Sequence, residues 1–378
     1  MSDIQIVGGV DAAGVPVELS VIDGMISVGS DGPPDFDAQG LAIVPGFIDI
    51  QTNGAYGFDF TEDPNSMWDV GAQLPEQGVT SFCPTIITAC SDRIARAQAA
   101  IADRPKGYVG AEPIGIHAEG PYISMAKRGT HPIAHLRDAA PNEFDTTGIA
   151  IVTVAPELAG VTGFIERLTS AGVVVSLGHS AASARIAAEA IDAGATLGTH
   201  LFNAMPPLIA REPGLAGILL TDQRTYLGLI VDGIHLANEM LMIAWSLGRD
   251  RFLLITDSIS ATGMPDGHYD IGGVPVEVRD GTVRNVDGAL AGSILTMDQA
   301  IRNLMRTTGA SLEAAVAAAS SNPASALGRT DIGSLAVGSR GDVVLLDGAE
   351  VVATVIAGRI VFCNQPDRLI GGSRVTEI

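Results

Sequence analysis

Several apolar runs of the sequence end in side chains that can bind a metal or move a proton. Glu119 follows PIGIHA, His179 follows VVVSLG, His200 lies in ATLGTHLF, and Asp257 lies in FLLITDS. Two imidazoles and one carboxylate suit a catalytic zinc or a similar ion, because they leave coordination positions open for water and substrate. Such an ion would polarise a carbonyl and acidify its bound water, and Asp257 could pass the water proton to a leaving group. For any one of these residues taken alone, a polar strand end that merely meets solvent is the alternative, as is a helix N-cap for Asp257.

Two further segments carry groups suited to a substrate. His235 follows an apolar run and is a candidate to touch substrate, with a capping histidine at a helix start as the alternative. The loop at 198–217 contains three prolines, and exposed N–H groups at Asn203 and Ala204 could hold an oxyanion there. Arg211 could pair with that anion. The alternative is a solvated surface arginine in an ordinary loop.

These residues are far apart in the chain, so a scaffold must bring them together. Apolar, strand-like runs alternate with helix-like, alanine-rich segments along the middle of the sequence. The eight runs are 41–51, 79–85, 113–120, 149–157, 173–179, 195–202, 226–233 and 252–258. Eight strand–helix units predict a parallel (β/α)₈ barrel, whose functional residues gather at the C-terminal ends of the strands. A doubly wound open sheet is the alternative.

The two ends of the chain have a different pattern. The segments 15–29 and 339–362 are rich in strand-forming residues and contain Asp-Gly turns. Neither is long enough for a domain alone, so we predict one small β-sandwich formed by 1–44 and 334–378. The barrel then spans 45–333, with a β-hairpin insertion near 268–288.

The composition fits a folded enzyme and excludes several other classes of protein. Hydrophobic residues make up 47% of the 378 residues and charged residues 17%, which allows a large core. The net charge of -21 argues against nonspecific nucleic-acid binding, and an anionic substrate would need a local cationic pocket. The three cysteines lack a CxxC spacing, which favours a reducing cytoplasm. We expect no signal peptide and no membrane span.

Ordered motifs between about residues 45 and 304 carry a more specific signal. They are PGFIDIQTNG, GIHAEGPYIS, LGHS, THLFNAMPPLIAREPGLAG, GLIVDGIHL, ITDSISATG and LAGSILTMDQAIRNL. With these motifs the sequence resembles the N-acetylglucosamine-6-phosphate deacetylase family of the amidohydrolase superfamily. The segments NPASALG and GSLAVGSRGDVVLLD extend the resemblance almost to the C-terminus.

The resemblance implies hydrolysis of the acetamide of N-acetyl-D-glucosamine 6-phosphate to D-glucosamine 6-phosphate and acetate. It makes Asp257 the general base and then the general acid, while His235 helps to polarise the acetyl carbonyl. It also implies a homodimer in which Arg211 reaches the phosphate in the neighbouring active site. The implied metal ligands are Glu119, His179 and His200, and the implied substrate contacts are Thr130, His131, Asn203, Ala204, Arg211, His235, Leu290, Ala291 and Gly292.

The first strand departs from the pattern of many superfamily members. Asp49, Gln51 and Asn53 lie at every second position and share one face of the strand. Many superfamily members have a His-x-His pair, which holds a second metal, where this sequence has Gln51 and Asn53. Neutral amides are poor zinc ligands, so we predict one divalent ion per subunit, Zn²⁺ by preference, with Fe²⁺ or another ion as alternatives. Gln51 and Asn53 would then support the site indirectly, Gln51 by orienting the metal-bound water or its neighbours, and Asp49 would make structural hydrogen bonds.

Three other functions remain open at the level of sequence. One is a deacetylase of another acetamido sugar phosphate, such as N-acetylgalactosamine 6-phosphate. The second is a cyclic-amide hydrolase, against which the missing His-x-His pair argues. The third is a non-catalytic barrel scaffold, against which the retained Glu119, His179, His200 and Asp257 argue.

Overall fold

The computed structural model describes residues 3–29, 32–139 and 144–376, and a parallel barrel lies at its centre. The eight barrel strands within these ranges are Phe47–Thr52, Val79–Ile87, Ile116–Glu119, Ile149–Val154, Val174–Leu177, Leu197–Gly198, Tyr226–Ile230 and Phe252–Ile255. Each strand pairs in parallel with the next one along the chain. A parallel bridge between Thr52 and Ser258 connects the last strand to the first. The predicted (β/α)₈ barrel is therefore confirmed.

Helices cover the outside of the barrel, which explains why its strands are so apolar. All nine residues of Val79–Ile87 are buried, as expected for a parallel strand covered on both faces. The described α-helices are Met67–Gln73, Ser91–Ala102, Val161–Ser170, Ala184–Asp192, Gly214–Thr221, Asn238–Gly248, Met297–Thr308, Leu312–Ala319 and Ser321–Ala326. Short 3₁₀ helices lie at Pro64–Ser66, Leu74–Gln77, Met125–Lys127, Ile133–His135, Arg249–Arg251 and Pro366–Arg368. Across the described residues, every helix is too short or too polar to span a bilayer.

Both ends of the chain contribute to a second, mostly antiparallel sheet. Its strands are Ile4–Val10, Pro16–Ile22, Met25–Ser27, Phe36–Asp37 and Ala42–Pro45 from the N-terminal part, and Val343–Asp347, Glu350–Ile356 and Arg359–Cys363 from the C-terminal part. Leu345 pairs with Ile43, which joins the two parts directly. These strands bury a hydrophobic cluster separate from the barrel core. The barrel with a β-sandwich from both termini is confirmed, and the domain boundaries at 44/45 and 333/334 stay our proposal.

A small sheet follows the eighth barrel strand, where the sequence predicted a hairpin. It has three antiparallel strands, Gly267–Ile271, Val274–Arg279 and Thr282–Asn285. The main-chain N–H of Gly272 donates to the Asp59 carboxylate at 2.9 Å, which ties this sheet to the barrel. The remaining short strands are Gly54–Ala55, Phe58–Asp59 and Glu112–Pro113. The three-stranded sheet matters for function because the chain that leaves it borders the pocket described below.

Candidate active site

A cavity of about 360 Å³ opens at the C-terminal ends of the barrel strands. Most of the predicted site residues line it, namely Glu119, Thr130, His131, His179, His200, Asn203, Ala204, His235, Asp257, Leu290, Ala291 and Gly292. Arg211, Gln51 and Asn53 are the predicted site residues that do not line it. The barrel topology thus brings side chains from several strands into one pocket, as the strand-end argument required.

Three of these side chains converge on one point. Oε1 of Glu119 lies 3.1 Å from Nε2 of His179 and 3.2 Å from Nε2 of His200, and the two Nε2 atoms are 3.0 Å apart. Nδ1 of His179 faces the carbonyl oxygen of Lys127 at 2.9 Å, so Nδ1 carries the proton and Nε2 of the neutral ring carries the lone pair. Acceptor atoms this close repel each other unless a cation or a proton lies between them. Tetrahedral zinc, bound at about 2.0–2.2 Å, separates its ligand atoms by about 3.3 Å, so the triangle fits such an ion.

The charges of the cluster point to the same conclusion. Burial raises the pKa of Glu119, but the contacts with His179 and His200 outweigh burial and hold that pKa well below its ordinary value. Burial alone would lower the pKa of His200, but the contact with Glu119 outweighs burial, so the pKa of His200 lies above its ordinary value. The buried carboxylate is therefore ionised and attracts positive charge. The raised pKa favours a proton on His200, and a metal cation would replace that proton.

His131 is close enough to be considered as a ligand as well. In the described residues, metal-binding atoms of Glu119, His131 and His179 lie within 4.8 Å of one another. However, the main-chain N–H of Thr88 points at Nδ1 of His131 at 3.3 Å, so Nδ1 carries the lone pair. The proton of the neutral ring is then on Nε2, which makes Nε2 a donor. His200 presents Nε2 to the cluster directly, so we favour the predicted set of Glu119, His179 and His200.

Several site residues have an unusual backbone conformation. His179, His200 and Asp257 have φ angles of 47°, 28° and 50°, in the left-handed region that residues other than glycine rarely adopt. Each such residue costs on the order of 1–3 kcal/mol and persists only where surrounding contacts enforce it. All three directly follow or lie just beyond a barrel strand, where the turn directs the side chain into the pocket.

Asp257 is held by the two amides of the first strand. Nε2 of Gln51 donates to Oδ1 of Asp257 at 3.1 Å, and Nδ2 of Asn53 donates to the same oxygen at 2.8 Å. Burial, followed by the charge of Glu119, raises the pKa of Asp257 above its ordinary value. A carboxylate with a raised pKa is a better proton acceptor near neutral pH. Oδ2 is left as the oxygen of Asp257 that can exchange a proton with a reacting group.

The same contacts give Gln51 and Asn53 a role that requires no second metal. Nε2 of Gln51 also lies 3.3 Å from Oε1 of Glu119. The amide hydrogens of both residues therefore face carboxylates, and N–H groups cannot coordinate a cation. We expected Gln51 to orient a water or its neighbours, and the structure places it between Glu119 and Asp257.

Asp49, the third polar residue of the first strand, closes the barrel. Its carboxylate accepts the main-chain N–H groups of Gln51 and Thr256 at 3.2 and 3.3 Å, and the hydroxyls of Thr52 and Thr256 at 2.9 and 2.5 Å. Burial raises the pKa of Asp49 to about 6, although these hydrogen bonds oppose the shift. Asp49 thus joins the first strand to the end of the eighth.

His235 is held by Asp232, a residue that the sequence analysis did not include in the site. Nδ1 of His235 lies 2.7 Å from Oδ2 of Asp232, and Oδ1 accepts the main-chain N–H groups of Ile234 and His235 at 2.8 and 2.9 Å. Burial raises the pKa of Asp232, but the contact with His235 outweighs burial and lowers it. The Asp-x-x-His spacing could have predicted this pair, because the side chain of an aspartate in a turn often accepts main-chain N–H groups two or three residues later in the chain.

The loop at 198–217 differs from the prediction in one respect. The main-chain N–H of Asn203 donates to the carbonyl oxygen of His200 at 3.0 Å, so this group is not free for an oxyanion. The side-chain amide of Asn203 makes only a 3.4 Å contact with Leu201 and remains available to a ligand at the pocket wall. Ala204, with a φ of 52°, also lines the pocket. Arg211 is exposed and lies outside the pocket of its own chain.

Two features of the pocket were not predicted from the sequence, namely Lys127 and the unpaired hydroxyl of Thr130. Lys127 lines the pocket, and its Nζ donates to the carbonyl oxygen of Met205 at 3.0 Å. No local sequence pattern predicts Lys127 as a pocket residue, because its hydrogen-bond partner, Met205, lies in the loop after a different strand. Within the described part of the chain, the buried hydroxyl of Thr130 has no hydrogen-bond partner and can bind a substrate group.

Comparisons with known proteins agree with this geometry. The amidohydrolase family profile matches residues 42–361. N-acetylglucosamine-6-phosphate deacetylase of Rattus norvegicus is 42% identical over 86% of this chain and 85% of its own length. N-acetylgalactosamine-6-phosphate deacetylase of Escherichia coli O157:H7 is 36% identical, over 91% of this chain and 94% of its own. The solved structure of a mutant N-acetyl-D-glucosamine-6-phosphate deacetylase from Mycobacterium smegmatis, in complex with N-acetyl-D-glucosamine-6-phosphate, is similar to this chain. The TM-score is 0.87 at 32% identity, and the match covers 95% of this chain and 99% of that one. The chain therefore belongs to the amidohydrolase family, and within it to the group of N-acetylglucosamine-6-phosphate deacetylases.

Proposed function

We propose that the protein hydrolyses the acetamide of N-acetyl-D-glucosamine 6-phosphate to D-glucosamine 6-phosphate and acetate. The observation that carries the proposal is the convergence of Glu119, His179 and His200 beside Asp257 in one pocket. The names of the relatives at about 40% identity supply the substrate. The 36% identical N-acetylgalactosamine-6-phosphate deacetylase makes the galacto substrate the second candidate.

We infer one divalent cation per subunit, held by Glu119, His179 and His200. When bound, it would supply Lewis-acid polarisation of the acetamide carbonyl and acidification of water. Zinc suits two imidazoles and a carboxylate, with ferrous iron or another divalent ion as an alternative. The amide hydrogens of Gln51 and Asn53 face Asp257, which argues against a second tight site.

The other residues of the pocket supply acid–base chemistry and hydrogen bonding. Asp257 takes a proton from the attacking water at Oδ2 and later returns it to the leaving amine. Nε2–H of His131 is a neutral donor, since burial lowers the pKa of this ring to about 3, and it can stabilise a developing negative oxygen. The expected polarisation of the carbonyl by His235 would need the doubly protonated form of its ring, because Nδ1 already carries a proton towards Asp232.

The phosphate would lie at the wall formed by the Asn203 side chain and Ala204. A dianion needs a cation, and we propose that Arg211 of a neighbouring subunit supplies it in a homodimer. Arg211 is exposed in its own chain, beside Leu208 and Ile209, whose side chains are 45% and 54% exposed. Exposed apolar side chains beside a free arginine are typical of an interface. We place the protein in the cytoplasm, which its three free cysteines support.

A coupled acetate-release assay tests the proposed function. The substrates are the 6-phosphates of N-acetylglucosamine and N-acetylgalactosamine and the two unphosphorylated sugars, each assayed with zinc-loaded protein. We expect the highest kcat/KM for N-acetylglucosamine 6-phosphate. A higher kcat/KM for the galacto phosphate would establish the second candidate, and no acetate release from either phosphate would refute both.

A further inference from the structure

Two histidines in the pocket are held in opposite tautomers. Nδ1 of His131 accepts the main-chain N–H of Thr88 at 3.3 Å and lies 2.8 Å from the Thr88 hydroxyl. A main-chain N–H is always a donor, so Nδ1 of His131 is an acceptor and the proton of the neutral ring is on Nε2. His131 therefore presents a hydrogen-bond donor to the pocket.

His235 has the reverse arrangement. Its Nδ1 faces the Asp232 carboxylate at 2.7 Å, and a carboxylate can only accept. Nδ1 of His235 thus carries the proton, and Nε2 of the neutral ring carries the lone pair. His235 lines the pocket, its side chain is 5% exposed, and no described protein group pairs with its Nε2. The pocket is therefore bordered by one imidazole that donates and one that accepts.

The Asp232 carboxylate is itself firmly placed. Oδ1 is occupied by the two N–H groups of its own turn, which leaves Oδ2 for His235. The preceding residue, Val231, is fixed by the buried side chain of Asn303, whose Nδ2 donates to the Val231 carbonyl oxygen at 2.8 Å. The helix Met297–Thr308 thereby holds the end of the seventh strand, and the strand end holds Asp232.

We propose that Asp232 is a positioning residue that keeps the proton of His235 on Nδ1, so that the ring presents the lone pair of Nε2 to the substrate. A polyhydroxylated ligand such as a sugar offers donors to an acceptor of this kind, whereas an acetamide carbonyl needs a donor, which His131 supplies. The substrate part of this inference rests on the proposed function, and the tautomer part does not.

The substitution Asp232→Asn should change the tautomer of His235 while it leaves the turn at Asp232 intact. Oδ1 of the amide can keep both main-chain bonds, while its Nδ2–H group would face Nδ1 of His235 and donate to it. The proton of His235 should then move to Nε2, which reverses the hydrogen-bonding sense of the ring towards the substrate. A purely structural role of Asp232 predicts no such reversal, because the turn stays intact.

The first measurement is ¹⁵N nuclear magnetic resonance of histidine-labelled, zinc-loaded protein at about pH 8.5, well above the ordinary histidine pKa of about 6.5. The chain has seven histidines, and the His235 signals are identified by their loss in His235→Gln. We expect the proton on Nδ1 in the wild type and on Nε2 in Asp232→Asn. A proton on Nε2 in the wild type, in the neutral or the charged ring, would overturn the proposal, as would an unchanged tautomer in the variant. The wild-type spectrum decides even if the variant does not fold.

The second measurement is a double-mutant cycle on acetate release. Asp232→Asn should lower kcat/KM by about 10–100-fold, mainly through KM, because it removes a hydrogen bond to a charged group and reverses a substrate contact. In the His235→Gln background the same change should cost less than about 2-fold. Equal losses in both backgrounds would show that Asp232 acts through its turn and refute the proposal. The matched control is Asp11→Asn, since Asp11 accepts two main-chain N–H groups at 2.9 Å in an exposed turn of the terminal sheet, and it should leave kcat/KM unchanged.

Discussion

Replacing Asp257 by asparagine tests the centre of the proposed chemistry. Gln51 and Asn53 both donate to Oδ1 of Asp257, so the amide oxygen of the new side chain can keep both bonds. Its NH₂ group would then occupy the position of Oδ2, where it cannot accept a proton. General acid–base catalysis is worth about 10²–10⁴ in rate, and this side chain has both roles, so kcat should fall by about 10³-fold or more. That loss corresponds to roughly 4 kcal/mol of transition-state stabilisation.

Fold and metal binding should survive this substitution. The carboxylate is buried and its pKa is raised, so its charge destabilises the folded protein, and a neutral amide removes that cost. We therefore expect a melting temperature equal to or above that of the wild type, together with an unchanged metal content. The measurements are acetate release, metal analysis by mass spectrometry and thermal unfolding, all on the same preparation.

A control variant distinguishes the loss of catalysis from the general effect of removing a carboxylate whose pKa is raised. Asp59 is half-buried, its pKa is raised to about 6, and it accepts the N–H groups of Glu62 and Gly272 at 2.9 Å outside the pocket. Asp59→Asn should change stability but keep kcat within about 3-fold, since general acid–base losses are far larger. If Asp257→Asn retained more than about a tenth of wild-type kcat, the loss would fall below the range for a proton-transfer residue, and the assignment of Asp257 would be wrong.

Three further predictions follow from other parts of the molecule. Protein purified without added metal should contain about one divalent ion per chain, as expected for a three-residue site, and two tightly held ions would contradict our reading of Gln51 and Asn53. Burial raises the pKa of Asp49 to about 6 from 3.8, so the folded state binds the extra proton and stability falls as the pH rises from about 4 through 6, by up to roughly 3 kcal/mol. Denaturant unfolding across this range should show a fall in both proteins, since the pKa values of Asp59 and Asp257 are raised as well, but a smaller fall in Asp49→Asn than in the wild type, and equal pH profiles would refute the assignment. Arg211→Ala should raise KM for the phosphorylated sugar by at least about 10-fold, as for the loss of a charged hydrogen bond, with little effect on the unphosphorylated sugar, and equal effects on both sugars would rule out phosphate binding.

Our prediction of a single metal ion depends on how the side-chain amides of Gln51 and Asn53 are oriented. An Asn or Gln side chain can present either a carbonyl oxygen or an NH₂ group to a neighbour. Gln51 and Asn53 turn their NH₂ groups towards Asp257 because an ionised carboxylate accepts and does not donate. The charge on Asp257 thus fixes both amides, and they in turn hold Asp257 in place.

The sequence by itself determined the scaffold and the chemical inventory of the site. The strand runs and the helical segments are local patterns, and local patterns are encoded within a few residues along the chain. The ends of those runs contain Glu119, His179, His200 and Asp257, and the barrel topology requires strand ends to share one face. These residues could therefore be chosen before any distance was known, and the family resemblance added the substrate.

Only the tertiary structure decided how each polar group is oriented. The partner that makes His131 a donor is Thr88, and the partners that hold Asp257 are Gln51 and Asn53. Thr88 and His131 are 43 positions apart, and Asn53 and Asp257 are 204 positions apart. The direction of a hydrogen bond depends on which atom of which residue lies within about 3 Å, and that contact exists only once the barrel has closed. Residue types therefore specified which chemistry is available, and the closed barrel specified which nitrogen, oxygen or proton performs it.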